Sequence, residues 1–207
     1  MGEVESSARG SAPTARHPTA ISFTLPPWVA AELAGLAPLP DDDARMGLVL
    51  ALARANVERS DGGPFAAAVF SRDGGELIAA GVNLVISSCA PIAHAEIIAI
   101  ALSGAHLGSH DLGVAGPTEL VTSCRPCAMC LGAVPWSGVS RVVCGARDED
   151  ARAVGFDEGD KPGDWAAGLR ARGIEVVEDV RRAEAAELLR DYALRGGTIY
   201  NGTPRRS

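Results

Sequence analysis

Two short stretches carry residue types that can do chemistry together: His94-Ala95-Glu96, and Pro126-Cys127-Ala128-Met129-Cys130 about thirty residues on. One imidazole and two thiolates are three borderline or soft ligands, a set suited to Zn²⁺. Zinc held by three protein groups keeps a fourth position for water, as catalytic sites do and closed structural sites do not. Such a zinc lowers the pKa of water toward neutrality. Glu96, two positions past His94, is then placed to move protons between that water and a reacting group. Cys127 and Cys130 stand at i and i+3 of an expected helix over 127–136, so their side chains share one face. The start of a helix also favours thiolate over thiol. His94 opens a second expected helix, so two helix starts converge on one ion. The small side chain of Ala95 lets its backbone approach a planar substrate.

These cysteines admit other readings. A C-x-x-C pair by itself also marks redox dithiols and structural zinc. Cys124, Cys127 and Cys130 at intervals of three resemble part of an iron–sulfur run, but no fourth cysteine with a following proline stands nearby. A purely structural zinc would recruit Cys124 or Cys144. The His-x-Glu pair favours the catalytic reading. Cys89 and Cys144 then read as small core residues, and Cys124 as a strand-end residue beside the site. His106 and His110 read as solvated, and His17, in the N-terminal tail, as inert.

The 207 residues are 47% hydrophobic and 22% charged, with a formal net charge of −7. That balance disfavours an electrostatic grip on nucleic acid or anionic membrane. No apolar run reaches about 18 residues, so no membrane span is expected. Residues 1–20 lack the apolar core of a secretory signal. A cytoplasmic protein is the expectation. Residues 1–20, rich in Ser, Ala, Pro and Gly, read as a disordered tail. Residues 21–40 read as an N-terminal extension with a short helix after Pro26-Pro27-Trp28. Residues 41–200 form the zinc-bearing domain, and 201–207 a C-terminal tail.

The elements that must position the site follow from periodicity. Asp41, Asp42 and Asp43 precede Met46, Val49, Leu50, Ala53 and Val57 at helical spacing. Residues 65–71 and 76–83 read as a hairpin turning at 72–75. A helix starts near His94, with Ile97, Ile98, Ile100 and Ala101 expected on its buried side, followed by a loop over 104–116. Strands are expected at 119–123, 141–144 and 175–178, and helices at 147–153 and 184–194. A hairpin followed by alternating strands and helices implies a three-layer α/β/α sandwich around a mixed five-stranded sheet.

Several segments of 46–160 together resemble the cytidine deaminase superfamily, and within it the small zinc-dependent guanine deaminases. Gly63-Pro64-Phe65 is similar to the family's opening strand motif. Thr122-Ser123-Cys124-Arg125-Pro126-Cys127-Ala128-Met129-Cys130-Leu131-Gly132-Ala133 is similar to its long zinc motif, with Arg125 where Glu is commoner and Ala128 where Pro is commoner. Ala153-Val154-Gly155-Phe156-Asp157-Glu158 resembles the segment that lays an aromatic and a second carboxylate over the base. The resemblance implies zinc bound by His94, Cys127 and Cys130, and Glu96 as proton shuttle. It implies that Asn83 hydrogen-bonds the base, that Phe65 and Phe156 wall the ring, and that Glu158 is a second shuttle or an acceptor at the amide edge. The implied activity is hydrolytic deamination of a small aminated heterocycle, guanine or a related purine base or nucleoside, with release of ammonia. A homodimer with the site near its interface is also implied. The alternatives are RNA editing of the tRNA adenosine deaminase kind, deamination of cytosine or cytidine, and a zinc domain without turnover. The acidic balance speaks against nucleic acid as partner, and Glu96 against a zinc domain without turnover. Past Asp160 the resemblance fades, and the chain reads as an ordinary final strand and helix.

Overall fold

Residues 19–59 and 62–201 are described by the computed structural model. Apart from residues 19, 20 and 201, the expected tails lie outside the described residues, and so does His17.

Five strands form one sheet: β1 (Ala66–Ser71), β2 (Leu77–Val82), β3 (Thr118–Cys124), β4 (Arg141–Ala146) and β5 (Glu175–Val177). Their order is β2-β1-β3-β4-β5. β1 runs antiparallel to both β2 and β3, whereas β3, β4 and β5 are parallel. Side chains alternate across the sheet, and both faces are buried. Ala66, Ala68, Phe70, Val121 and Val143 face one core, which receives Met46, Val49, Leu188 and Leu189. Ala67, Val69, Leu120, Val142 and Val176 face a second core, which receives Ala95, Ala99, Val134, Trp165 and Leu169. The layers are therefore α2 (Asp42–Glu58) and α7 (Arg182–Leu194) on one side, with α3 (Ala95–Leu107), α4 (Ala128–Ser137) and α6 (Trp165–Arg170) on the other. The short α1 (Pro27–Leu33) and α5 (Asp148–Ala153) complete the set.

Local chemistry fixes the helix ends. Asp41 caps α2 by accepting from the Ala44 amide at 2.8 Å, with Asp42 and Asp43 in the first turn. Gly108 at φ 63° closes α3, a conformation that glycine adopts without a Cβ penalty. At the end of the sheet where β3 begins, buried Glu119 accepts from Arg45 and from Arg141, both at 2.6 Å. Arg141 also grips both oxygens of Asp42. Glu119, Arg141 and Glu175 are register partners across β3, β4 and β5, so this cluster clamps the start of α2 to the sheet.

Two sequence expectations need correction. The buried side of α3 is Ala95, Glu96, Ile98, Ala99 and Ser103, whereas Ala101 is exposed. Its apolar run is almost continuous, so composition could not say which stripe meets the sheet. The expected loop over 104–116 begins as the last turn of α3 and contains a 3-10 turn at Leu112–Ala115. The helix α6 was not expected, because six residues between Gly163 and Gly173 give too short a periodic signal.

Candidate active site

The topology gathers the chemical residues at one edge of the sheet. Because β1 is antiparallel to both neighbours, its beginning lies beside the ends of β2 and β3. Phe65 just before β1, Asn83 just after β2 and Cys124 at the end of β3 therefore meet. Phe65 and Asn83 are joined by a backbone bond from the Asn83 amide to the Phe65 carbonyl at 3.0 Å. The starts of α3 and α4 arrive at the same edge, with His94 the N-cap of α3 and Cys127 the N-cap of α4. Helix α4 thus begins one residue later than its expected start.

His94 Nδ1 lies 3.5 Å from Cys127 Sγ and 3.6 Å from Cys130 Sγ. All three ligand atoms fall within 4.8 Å of one another. A tetrahedral zinc with bonds of about 2.3 Å to sulfur and about 2.0–2.1 Å to nitrogen sets nitrogen and sulfur about 3.5 Å apart. The observed edges fit that figure, and the donor set is the borderline-to-soft mixture that zinc prefers. The Cys130 thiol hydrogen-bonds to Cys127 and holds its pKa down to about 4, with His94 assisting. The same pairing, with burial, pushes Cys130 up.

Glu96 stands in the first turn of α3 and is 7% exposed. Burial raises its pKa, and the neighbouring Cys127 charge adds to the effect. Glu158 is 5% exposed and faces the same cavity. Burial pushes it up to about 8; the Lys161 ammonium opposes this, while Cys127, Glu96 and Asp148 reinforce it. Its carboxyl thus keeps a proton to higher pH than an ordinary carboxylate, and in that form it can both donate and accept.

The cavity has a volume of about 680 Å³, within the range of small-molecule sites. Its aromatic wall is built from Phe65 and Phe156, edge to face at 4.9 Å, with Tyr200 5.6 Å from Phe156. Asn83 is almost fully buried; its Nδ2 donates to the Tyr200 hydroxyl and its Oδ1 accepts from the Val85 amide at 3.3 Å.

The structure thus brings together eight of the nine residues singled out in the sequence. The ninth, Ala95, is fully buried in the core between α3 and the sheet and does not line the cavity. The start of α3 packs so closely on β2 that a Cβ added at Gly81 would meet the Ala95 carbonyl at 2.3 Å. Cys124 lines the cavity beside the ligands and Cys144 is buried, as expected. Cys89 is instead exposed, at φ 51°, on the cavity lining. Tyr200 and Asn201 were not anticipated. They follow the Gly196-Gly197 stop, and no periodicity or motif marks them.

A family model described as the cytidine and deoxycytidylate deaminase zinc-binding region matches residues 40–146. The guanine deaminase of Bacillus subtilis (strain 168) is 43% identical over 107 residues, which make up 52% of this chain and 65% of that relative. The solved structure of the guanine deaminase from Nitrosomonas europaea superposes with a TM-score of 0.82 at 49% identity, covering 86% of this chain and 99% of that one. A structure of NE0047 in complex with 2,6-diaminopurine gives a TM-score of 0.82 at 51% identity, over 88% of this chain and 97% of that one. The likeness therefore extends beyond the stretch 46–160.

Proposed function

The chain belongs to the cytidine and deoxycytidylate deaminase zinc-binding family, and from that premise we propose that it hydrolyses the exocyclic amine of guanine or a closely related purine, releasing ammonia. One observation carries the reading: a nitrogen–sulfur–sulfur triangle of zinc dimensions shares an aromatic-walled cavity with two buried carboxyl groups. The guanine deaminase relatives and the neighbour bound to 2,6-diaminopurine support the purine.

His94, Cys127 and Cys130 would hold the zinc, which when bound would supply Lewis acidity and lower the pKa of water toward neutrality. Glu96 takes the two protons of the attacking water in turn, the first as the oxygen adds to the ring carbon and the second from the hydroxyl that results, and delivers the first to the ring nitrogen and the second to the departing amine. The carbon–nitrogen bond breaks, the water oxygen becomes a carbonyl, and ammonia leaves. Phe65 and Phe156 hold the flat ring, with Tyr200 beside them. The Asn83 amide and the Glu158 carboxyl address its polar edges; purine bases present both donors and acceptors there, the amide can match either, and the carboxyl accepts, or donates when it holds a proton.

The working unit is a homodimer. Met129 and Trp136 lie on one exposed face of α4, and Trp136 is 85% exposed. An apolar face of that kind marks an association site, and sedimentation at equilibrium will read twice the chain mass. The five free thiols, two of them ligands, suit a reducing compartment, the cytoplasm, which cell fractionation will test.

Glu96→Gln tests the mechanism. Ammonia release from guanine should fall by about 10²–10⁴-fold, with zinc content and circular dichroism unchanged. Unchanged turnover would remove Glu96 from the proton path. Guanosine, adenine, cytosine and cytidine belong in the same assay, and turnover confined to cytosine or cytidine would overturn the purine.

A further inference from the structure

Lys161 is the only lysine of the chain, and its side chain is 4% exposed. Its ammonium donates to the Pro126 carbonyl at 2.6 Å and to Asp148 Oδ1 at 2.7 Å, and Nζ lies 5.7 Å from the centre of the Trp165 ring. Pro126 immediately precedes the ligand Cys127, and Lys161 follows Glu158 by three residues. One buried cation therefore joins the metal-bearing turn to the arm, residues 156–159, that carries Phe156 and Glu158. Other ties run alongside. The Ala128 amide donates to the Glu158 carbonyl at 2.9 Å, and the Asp157 amide donates to Asn201 Oδ1 at 2.9 Å. Gly159, at φ 69°, lies so close to α4 that an added Cβ would meet the Ala128 Cβ at 2.9 Å.

We propose that Lys161 is a positioning residue: paired with Asp148, it latches the 156–159 arm onto the start of α4 and so fixes where Glu158 and Phe156 stand relative to the metal ligands. Stability alone does not account for a buried ion pair, since an apolar pair of similar volume does as well or better. What that pair lacks is a donor aimed at the Pro126 carbonyl. The inference rests on the reading that Glu158 acts on the substrate.

Lys161→Met alone leaves Asp148 buried without its partner, so the test also uses the paired replacement K161M/D148L, which keeps the interior filled. Both are compared with the parent, with E158Q, and with the paired replacement in the E158Q background. The readouts are kcat and KM for guanine, zinc content, and amide hydrogen exchange at Ala128 and over 156–161. The paired replacement should fold and retain zinc, lose about 10- to 100-fold in kcat with a smaller change in KM, and exchange faster at those amides. Added to E158Q, it should cost less than it costs the parent, the remainder being the share owed to Phe156. Unchanged exchange, zinc loss in step with kcat, or an equal loss in the E158Q background would each overturn the latch. Parent-like turnover by E158Q, with exchange still accelerated in the paired replacement, would instead overturn the role given to Glu158.

Discussion

Replacing Glu158 with Gln should make the folded chain progressively more stable, relative to the parent, as pH rises. The reason is burial. Glu158 is 5% exposed, and its carboxyl is pushed from 4.5 up to about 8. Between those values the folded chain holds a proton that the unfolded chain has released. The sign follows from linkage: the stability owed to this carboxyl is fully present below about pH 4.5 and is lost as pH rises through about 8. Glutamine has no proton to lose there. The interval from 4.5 to about 8, at about 1.4 kcal/mol per pH unit, sets an upper limit of about 5 kcal/mol on the divergence. Water drawn into an open cavity lowers it by up to about half, so a divergence of about 2–5 kcal/mol is expected. Urea denaturation of both proteins from pH 4 to pH 9 measures it. A chelator should be present, because a bound divalent cation would draw the carboxyl down. Stability curves that stay parallel across this range would show that Glu158 titrates as an ordinary surface carboxylate, and the desolvated site described above would be wrong.

Two further outcomes follow from the geometry. Glu119→Gln leaves Arg45 and Arg141 short of their buried counter-charge; urea denaturation should show a loss of about 3–5 kcal/mol, while kcat of the folded enzyme stays at the parent level because the cluster lies at the far end of the sheet. Tyr200→Phe removes the hydroxyl bonded to Asn83. Loss of about 1 kcal/mol of orientation should raise KM for guanine about fivefold, and an unchanged KM in steady-state kinetics would show that Asn83 needs no such partner.

The sequence by itself determined the reacting groups. His94 and Glu96 are two residues apart and Cys127 and Cys130 three, so each pair is kept together by the few residues that open one helix. The capped start of α2, the hairpin and the five strands were equally legible, because each depends on neighbours close in the chain. Tertiary structure decided everything that closes the site. Tyr200 reaches Asn83 across 117 positions and Lys161 reaches Pro126 across 35, contacts that exist only once the sheet has set the strand ends and the segments after them along one edge. The outward turn of Cys89 and the inward turn of Ala95 are of the same kind. Composition marks both as small apolar residues, and only the packing of α3 on the sheet, with the path of the loop before it, decides which one meets the cavity. Local spacing can encode a pair of ligands, but the depth of burial that raises the Glu158 carboxyl arises from distant segments converging on it.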